Sequence, residues 1–177
     1  MKKLKNSELN RISIEEFKNS CKTPIKVLLD NIRSAHNVGS IFRSCDAFLI
    51  DEIILCGITA KPPNKEIRKT ALGSTNSMKW SYFENIQDAI LKLKKEKYQI
   101  ISVEQADNST DLKNFKIQSK KKYAIIFGNE INGVNQKVID ISDDVVEIPQ
   151  FGTKHSFNVS VSVGIVIWDF FTKIKTS

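Results

Sequence analysis

Residues 122–134 read KYAIIFGNEINGV and residues 145–160 read VVEIPQFGTKHSFNVS, and these two stretches decide the fold. In each, a short apolar run ends abruptly at a polar loop. Lys122–Phe127 and Val145–Ile148 have the length and composition of buried strands, and the loops that follow begin at Gly128 and Pro149. Ligands of open α/β sheets bind beyond the carboxyl ends of the strands. Both loops are therefore candidate binding segments.

Towards the amino terminus the chain repeats this alternation of apolar runs and helical patterns. The further predicted strands are Ile25–Asp30, Glu52–Cys56, Met78–Phe83 and Tyr98–Val103. The predicted helices are Val38–Phe48, Lys65–Leu72, a helix from Asn85 to about Lys97, and Asn135–Ile141. Strands that alternate with helices predict an α/β fold with a mostly parallel six-stranded sheet flanked by helices.

The carboxyl-terminal segment, residues 156–173, fits two patterns. Val159–Val163 alternates as a strand would, whereas the apolar residues from Val159 onward also follow helical spacing. A strand of 18 residues would be exceptionally long, so we predict a helix. One side carries Ser156, Ser160 and Gly164, small residues that would let another backbone approach closely.

The length of 177 residues predicts one domain with a short appendage. We expect residues 1–24 to form an N-terminal arm with a short helix, because Ser13 and Glu16 fit a capping box. Residues 25–177 would form the domain.

Composition narrows the function classes further. The net charge of +7 is a weak indication of a polyanionic partner. No apolar run is long enough to span a membrane, and no signal peptide is recognisable. Cys21, Cys45 and Cys56 are odd in number and lack CxxC spacing, which predicts reduced thiols and a cytoplasmic location. With only His36 and His155, we expect no metal site.

Several common chemistries lack their motifs. The chain has no G-x-G-x-x-G turn, and Gly128 and Gly133 have P-loop spacing without the lysine and hydroxyl residue that must follow. No G-x-S-x-G or H-E-x-x-H motif is present.

Three loops dense in polar residues and glycine remain, and together they resemble the motifs of the SpoU (TrmH-like) branch of the SPOUT RNA methyltransferases. The first matches through Asn37, Gly39 and Arg43, and the second is Gly128-Asn129-Glu130. The third comprises Ile148, Pro149, Gly152, Ser156, Asn158 and Ser160, and Lys69–Gly73 also matches a segment of this branch. The resemblance covers about residues 25–172.

The resemblance implies a SPOUT-type fold with a C-terminal deep trefoil knot. It also implies a homodimer, S-adenosylmethionine as methyl donor, and methylation of a ribose 2′-hydroxyl in tRNA or rRNA.

The same resemblance implies Arg43, Asn37, Glu130, Asn158 and Ser160 as catalytic residues. A guanidinium is a poor base, so we expect Arg43 to clamp a phosphate and stabilise the developing oxyanion. Asn37 could instead cap the helix from Val38, and Glu130 could orient Arg43 or Asn158, or be an exposed loop acid. Asn158 and Ser160 could cap the last helix.

The implied cofactor pocket is built largely from backbone groups, with glycines at 128 and 152 permitting close approach. Its residues would be Val103, Glu104, Gly128, Ile148, Ser156 and Phe157. Arg33 is a candidate second RNA contact beside Arg43, or a solvated loop charge.

Two other functions stay open at this point. One is a catalytically inactive SPOUT-fold RNA-binding protein, and the other is a SPOUT methyltransferase that acts on a base.

Overall fold

A computed structural model of the protein describes residues 1–118 and 120–176. Its sheet has seven strands in the order β3-β2-β1-β6-β4-β7-β5, and all the strand pairs are parallel. The strands are β1 (Thr23–Asp30), β2 (Ile50–Cys56), β3 (Trp80–Phe83), β4 (Tyr98–Val103), β5 (Thr110–Asp111), β6 (Lys122–Phe127) and β7 (Asp144–Glu147). The prediction of a parallel α/β sheet is confirmed, but the number of six strands is wrong. The missed strand, β5, has two residues, too few to produce a periodic pattern.

Seven helices surround the sheet in the described part of the chain. They are α1 (Ile14–Asn19), α2 (Ala35–Ala47), α3 (Lys65–Ala71), α4 (Ser74–Ser77), α5 (Ile86–Lys95), α6 (Gln136–Ile139) and α7 (Val159–Thr176). Two 3₁₀ turns lie at Asn6–Glu8 and Leu112–Asn114. The carboxyl-terminal segment is thus a helix, as predicted.

Helix α2 begins three residues before the predicted start at Val38. Its N-cap is Ser34, whose hydroxyl accepts a hydrogen bond from the Asn37 N–H at 3.3 Å. The proposed capping role of Asn37 is therefore wrong, and its side chain is available for another contact.

The amino-terminal segment packs on the sheet domain. Ser13 and Glu16 form the predicted capping box, and Phe17 is buried in the main core. Strand β1 begins at Thr23, before the domain boundary expected at residue 25. Pro24 lies where the β1–β2 register shifts, a position at which the missing N–H of proline is tolerated.

Two apolar layers cover the two faces of the sheet. Because successive strand side chains alternate between faces, Val27 and Leu29 join the core beneath α2 and α7, whereas Leu28 joins the core beneath α5. Helix α2 also lies close to α3, since a Cβ at Gly39 would overlap the backbone of Ile67. No helix among the described residues is both long and apolar enough to span a membrane.

A buried ion pair lies near the amino-terminal ends of β1 and β2. Lys26 Nζ is 2.6 Å from Glu52 Oε2, and each side chain is 8% exposed. Burial alone raises the pKa of Glu52, but the hydrogen bond and positive charge of Lys26 outweigh it and hold that pKa below its ordinary value. Burial alone lowers the pKa of Lys26, and Glu52 raises it above its ordinary value. The pair is therefore ionised at neutral pH.

Candidate functional site

All strands are parallel, so their carboxyl ends lie at one edge of the sheet, and the three polar loops meet there. Glu130, in the loop after β6, joins them to the loop after β1. Its Oε2 accepts a hydrogen bond from the Arg33 N–H at 2.9 Å. Its Oε1 accepts from the Ser34 N–H at 3.1 Å and from Asn37 Nδ2 at 3.2 Å. Glu130 therefore fixes the start of α2 rather than orienting Arg43.

The ionisation of Glu130 follows from these contacts. Partial burial alone raises the pKa of its carboxyl group. Hydrogen bonds from backbone N–H groups, including those of Arg33 and Ser34, and from the Asn37 amide lower it, and the net pKa is below the ordinary value. Glu130 is thus a carboxylate at neutral pH.

A chain of hydrogen bonds runs from Glu130 to the third loop. Asn37 donates to Glu130, while its Oδ1 accepts from Asn158 Nδ2 at 3.2 Å. Asn158 Oδ1 accepts in turn from the Ser160 N–H at 2.9 Å and the Ser160 hydroxyl at 2.7 Å. Each amide has one fixed orientation, because one end donates and the other accepts. The structure thus brings together four of the five predicted catalytic residues.

Arg43 lies apart from this chain. It is six residues after Asn37 on α2, which places it about 9 Å farther along the axis and on a different face of the helix. There it lines a groove of 570 Å³ together with Ser40, Ser44 and Lys69. Arg33 approaches Glu130 only through its backbone N–H, and its side chain is exposed.

None of the four arginine side chains forms a hydrogen bond or ion pair within residues 1–118 and 120–176; the ten ion pairs found there use lysine or histidine as the cation. The guanidinium groups of Arg11, Arg33, Arg43 and Arg68 are consequently free to bind an external anion.

A cavity of 510 Å³ opens at the carboxyl ends of β4, β6 and β7. The six residues expected to bind a cofactor all line it: Val103, Glu104, Gly128, Ile148, Ser156 and Phe157. Two regions that are far apart in sequence, residues 103–105 and 147–159, contribute to its wall, and a hydrogen bond from Gln105 Nε2 to the His155 carbonyl joins them.

Two of these residues shape the cavity through contacts with the second loop. A Cβ at Gly128 would overlap the backbone of Gly133 and Val134, so only glycine fits there. Glu104 Oε2 accepts a hydrogen bond from the Val134 N–H at 2.9 Å, which ties β4 to that loop. Gly152, by contrast, has no atom of a neighbouring described segment within 4 Å of its Cβ position. The close approach to a cofactor expected at this glycine stays a prediction.

The cavity has the features that a nucleoside-containing ligand needs. Its volume lies within the range of small-molecule sites, about 300–1,000 Å³. Ile148, Phe157 and Ile139 offer apolar surface, and Gly128 also lines the cavity. The residues present therefore fit S-adenosylmethionine. No cluster of three or more metal-ligating side chains occurs in the described part of the chain.

Three site residues escaped the sequence analysis. Asn129 Nδ2 donates to the Asn31 carbonyl at 2.7 Å, joining the first and second loops. Asn31 has a left-handed backbone, φ +57°, and its Oδ1 accepts from the Ile58 N–H at 3.1 Å. Gln105 contacts the third loop. The only signal in the sequence was the density of asparagine and glutamine near strand ends, which also marks ordinary turns.

Comparison with known proteins agrees with this geometry. The chain is 31% identical over 173 residues to an uncharacterized tRNA/rRNA methyltransferase of Borreliella burgdorferi, covering 94% of this chain and 75% of the relative. It is 28% identical over 146 residues to the tRNA (guanosine(18)-2′-O)-methyltransferase of Aquifex aeolicus, covering 81% of this chain and 66% of that enzyme.

Among solved structures, an AdoMet-bound rRNA methyltransferase from Sinorhizobium meliloti superposes with a TM-score of 0.78 at 26% identity. The match covers 87% of this chain and 59% of that protein. The profile of the SpoU rRNA Methylase family matches residues 24–168. The chain therefore belongs to the SpoU rRNA methylase family.

Proposed function

We propose that the protein is an S-adenosylmethionine-dependent RNA methyltransferase that acts on a ribose 2′-hydroxyl of tRNA or rRNA. The hydrogen-bonded chain of Glu130, Asn37, Asn158 and Ser160 carries this proposal, because three loops separated in sequence converge through it. Glu130 also lines the 510 Å³ cavity, so the chain of residues reaches the cavity wall.

The cofactor would be held by the six residues named above, with Gly128 giving the closest backbone approach. When bound, S-adenosylmethionine supplies a methyl group already activated by a sulfonium. The protein's task is then to align the ribose hydroxyl and to favour loss of its proton, and alignment is mainly an entropic contribution. Asn37 and Asn158 supply fixed amide dipoles for that alignment.

RNA would be held by Arg43 and Arg33, the two unpaired arginines beside the three loops. The Arg43 guanidinium is exposed in the second groove. Lys69 in the same groove is ion-paired with Glu66 at 2.8 Å, so Arg43 is the cation available there for a phosphate. We assign Arg43 the role of a phosphate clamp that positions the nucleotide, and Arg33 a second phosphate contact.

We further propose a homodimer. Val161 and Trp168 on α7 are 48% and 55% exposed, and Leu72 is 66% exposed. Among the residues that the structure describes, Gly164 has no atom of another segment within 4 Å of its Cβ position. A second copy packed on this apolar face would remove it from water.

The trefoil knot and the cytoplasmic location belong to the same proposal. Strand β7 lies between β4 and β5, and Lys173 near the chain end donates to the Leu112 carbonyl at 2.7 Å. This strand order and this hydrogen bond both support a path of the carboxyl-terminal segment through the connection between β4 and β6. The free cysteines, two of them buried, support a reducing compartment.

Transfer of a labelled methyl group to unmodified bulk tRNA and rRNA tests the function. Arg43→Ala should reduce transfer at least a hundredfold with unchanged S-adenosylmethionine affinity, because the clamp does not line the cofactor cavity. Arg11→Ala, which removes the same charge from the exposed arm, should keep its activity. Full activity of the Arg43 variant would overturn the assigned role, and absence of cofactor binding by calorimetry would favour an inactive RNA-binding protein.

A further inference from the structure

The third loop, residues 149–157, forms one long side of the cofactor cavity but has little to hold it. Gln150, His155, Ser156 and Phe157 line the cavity from this loop. Phe151 is 97% exposed. Within residues 1–118 and 120–176, the loop makes a single hydrogen bond, from Gln105 Nε2 to the His155 carbonyl at 2.7 Å.

The residue before Gln105 holds the other loop of the cavity. Glu104 accepts from the Val134 N–H at 2.9 Å, and its second oxygen accepts from the Gln105 N–H at 2.9 Å. Glu104 and Gln105 directly follow β4, and each contacts one of the two loops that line the cavity. One side chain reaches the second loop and the other reaches the third.

We propose that Gln105 is a positioning residue that holds the third loop in its cofactor-binding position. The proposal rests on the proposed function, since it takes the cavity as the S-adenosylmethionine site. A loop of nine residues with one hydrogen bond samples open conformations, and each open conformation withdraws Ser156 and Phe157 from the cavity wall. The bond from Gln105 reduces the open population and thereby the entropy lost when the cofactor binds.

The chain offers a direct readout of that open population. Lys154 lies within the loop, and trypsin cleaves after it only when the backbone is extended and accessible. When opening is fast relative to cleavage, the cleavage rate follows the population of the open form. Cleavage after Arg11 in the exposed arm provides an internal reference in the same digest.

Three variants separate the hydrogen bond from other effects. Gln105→Ala removes the side chain, and Gln105→Glu keeps its size but has no N–H to donate. Gln99→Ala is the matched control, because Gln99 lies near the start of β4, the strand that precedes Gln105, and donates a 2.6 Å hydrogen bond to Asp144, away from the third loop. Gln105 is exposed, so its replacement leaves the core intact.

Without cofactor, both Gln105 variants should be cleaved after Lys154 about fivefold faster than the unsubstituted protein, the effect of losing one ordinary hydrogen bond. The Gln99 variant should be cleaved at the unsubstituted rate. Because the closed form still predominates in the Gln105 variants, the dissociation constant for S-adenosylmethionine should rise less than about twofold. Saturating S-adenosylmethionine should suppress cleavage after Lys154 in each variant, and the unfolding midpoint should stay unchanged.

Equal cleavage of all variants would overturn the proposal. Cleavage after Lys154 that saturating S-adenosylmethionine does not slow would overturn the positioning role, because the cofactor would then bind without the closed loop. If the unsubstituted protein binds no cofactor, the proposed function fails, and the cleavage rates still decide whether Gln105 holds the loop.

Discussion

Replacing Glu130 by glutamine should uncouple the first and second loops with almost no change in size. Three donors converge on the carboxylate: the Arg33 N–H on one oxygen, and the Ser34 N–H and Asn37 amide on the other. A glutamine has one acceptor oxygen, so in either orientation at least one donor faces an NH₂ group. The remaining hydrogen bonds also lose their charge assistance.

The cost follows from these contacts. An unsatisfied donor costs about 1–3 kcal/mol when buried, and the lower end applies here because Glu130 is exposed. With the weakened remaining bonds, we expect a loss of about 1–2 kcal/mol in the free energy of unfolding. If the same free energy separates the aligned from the misaligned state of Asn37, methyl transfer should fall about 5- to 30-fold.

The free energy of unfolding lost in Glu130→Gln should decrease as the pH falls. The folded-state pKa of Glu130 is below its ordinary value, so the stability it contributes is present above that ordinary value. It is lost as the pH falls through the lowered pKa. The difference between the two proteins should therefore be full at pH 7 and shrink in acid.

Urea unfolding and single-turnover methyl transfer measure both quantities. Glu84→Gln is the control, because Glu84 is exposed and makes no hydrogen bond or ion pair with the residues the structure describes. If the Glu130 variant matched the Glu84 variant in both assays, the assignment of Glu130 as the link between the loops would be refuted.

Three further perturbations test other parts of the structure. Gly128→Ala should lower the free energy of unfolding by about 1–3 kcal/mol and weaken cofactor binding at least tenfold, because the added Cβ overlaps the backbone of the second loop. The control Gly152→Ala has open space around the added Cβ and should unfold at the same urea concentration as the unsubstituted protein. If both variants unfolded at that concentration, the close packing around Gly128 would be contradicted. Lys26→Met removes the nearer of the two ammonium groups beside Glu52 and leaves the exposed Lys79 at 3.6 Å. It should cost about 3 kcal/mol at pH 7 by urea unfolding, less as the pH falls through the lowered pKa of Glu52, and a loss below about 1 kcal/mol would contradict the pair's role. Trp168→Glu should convert a dimer to a monomer in sedimentation, and an unsubstituted protein that is already monomeric would refute the dimer.

The order of most strands and helices could be predicted from the sequence, because each element has its own local hydrophobic pattern. Buried parallel strands are short continuous apolar runs, and each was bounded by a turn or helix signal. The six residues proposed for the cofactor pocket line one cavity because all follow, or end, parallel strands. Parallel strand order alone brings those positions to a common edge.

Side-chain partners were less predictable, because they depend on distances between segments far apart in sequence. Asn37 has a residue type that is common at the N-cap, yet the N-cap of α2 is Ser34, three residues earlier, whose hydroxyl accepts from the Asn37 N–H. Glu130 was expected to contact a side chain, but two of its three donors are backbone N–H groups, which no residue-type pattern records. The link from Gln105 to His155 spans 50 residues and has no local signal.

For Arg43 the sequence motif suggests a contact with Asn37 that the structure lacks. A motif places it in the same loop region as Asn37, whereas six residues of helix turn it to another face. A shared motif therefore does not require that its members touch each other within one subunit.

The position of the transferred methyl group distinguishes methylation of the ribose from methylation of a base. RNA treated with the protein and deuterated S-adenosylmethionine can be digested to nucleosides and fragmented in a mass spectrometer. We predict that the deuterated methyl group stays with the ribose fragment, and that Arg43→Ala abolishes the signal. A labelled base fragment, or no labelled nucleoside from any RNA when the cofactor is bound, would contradict ribose methylation.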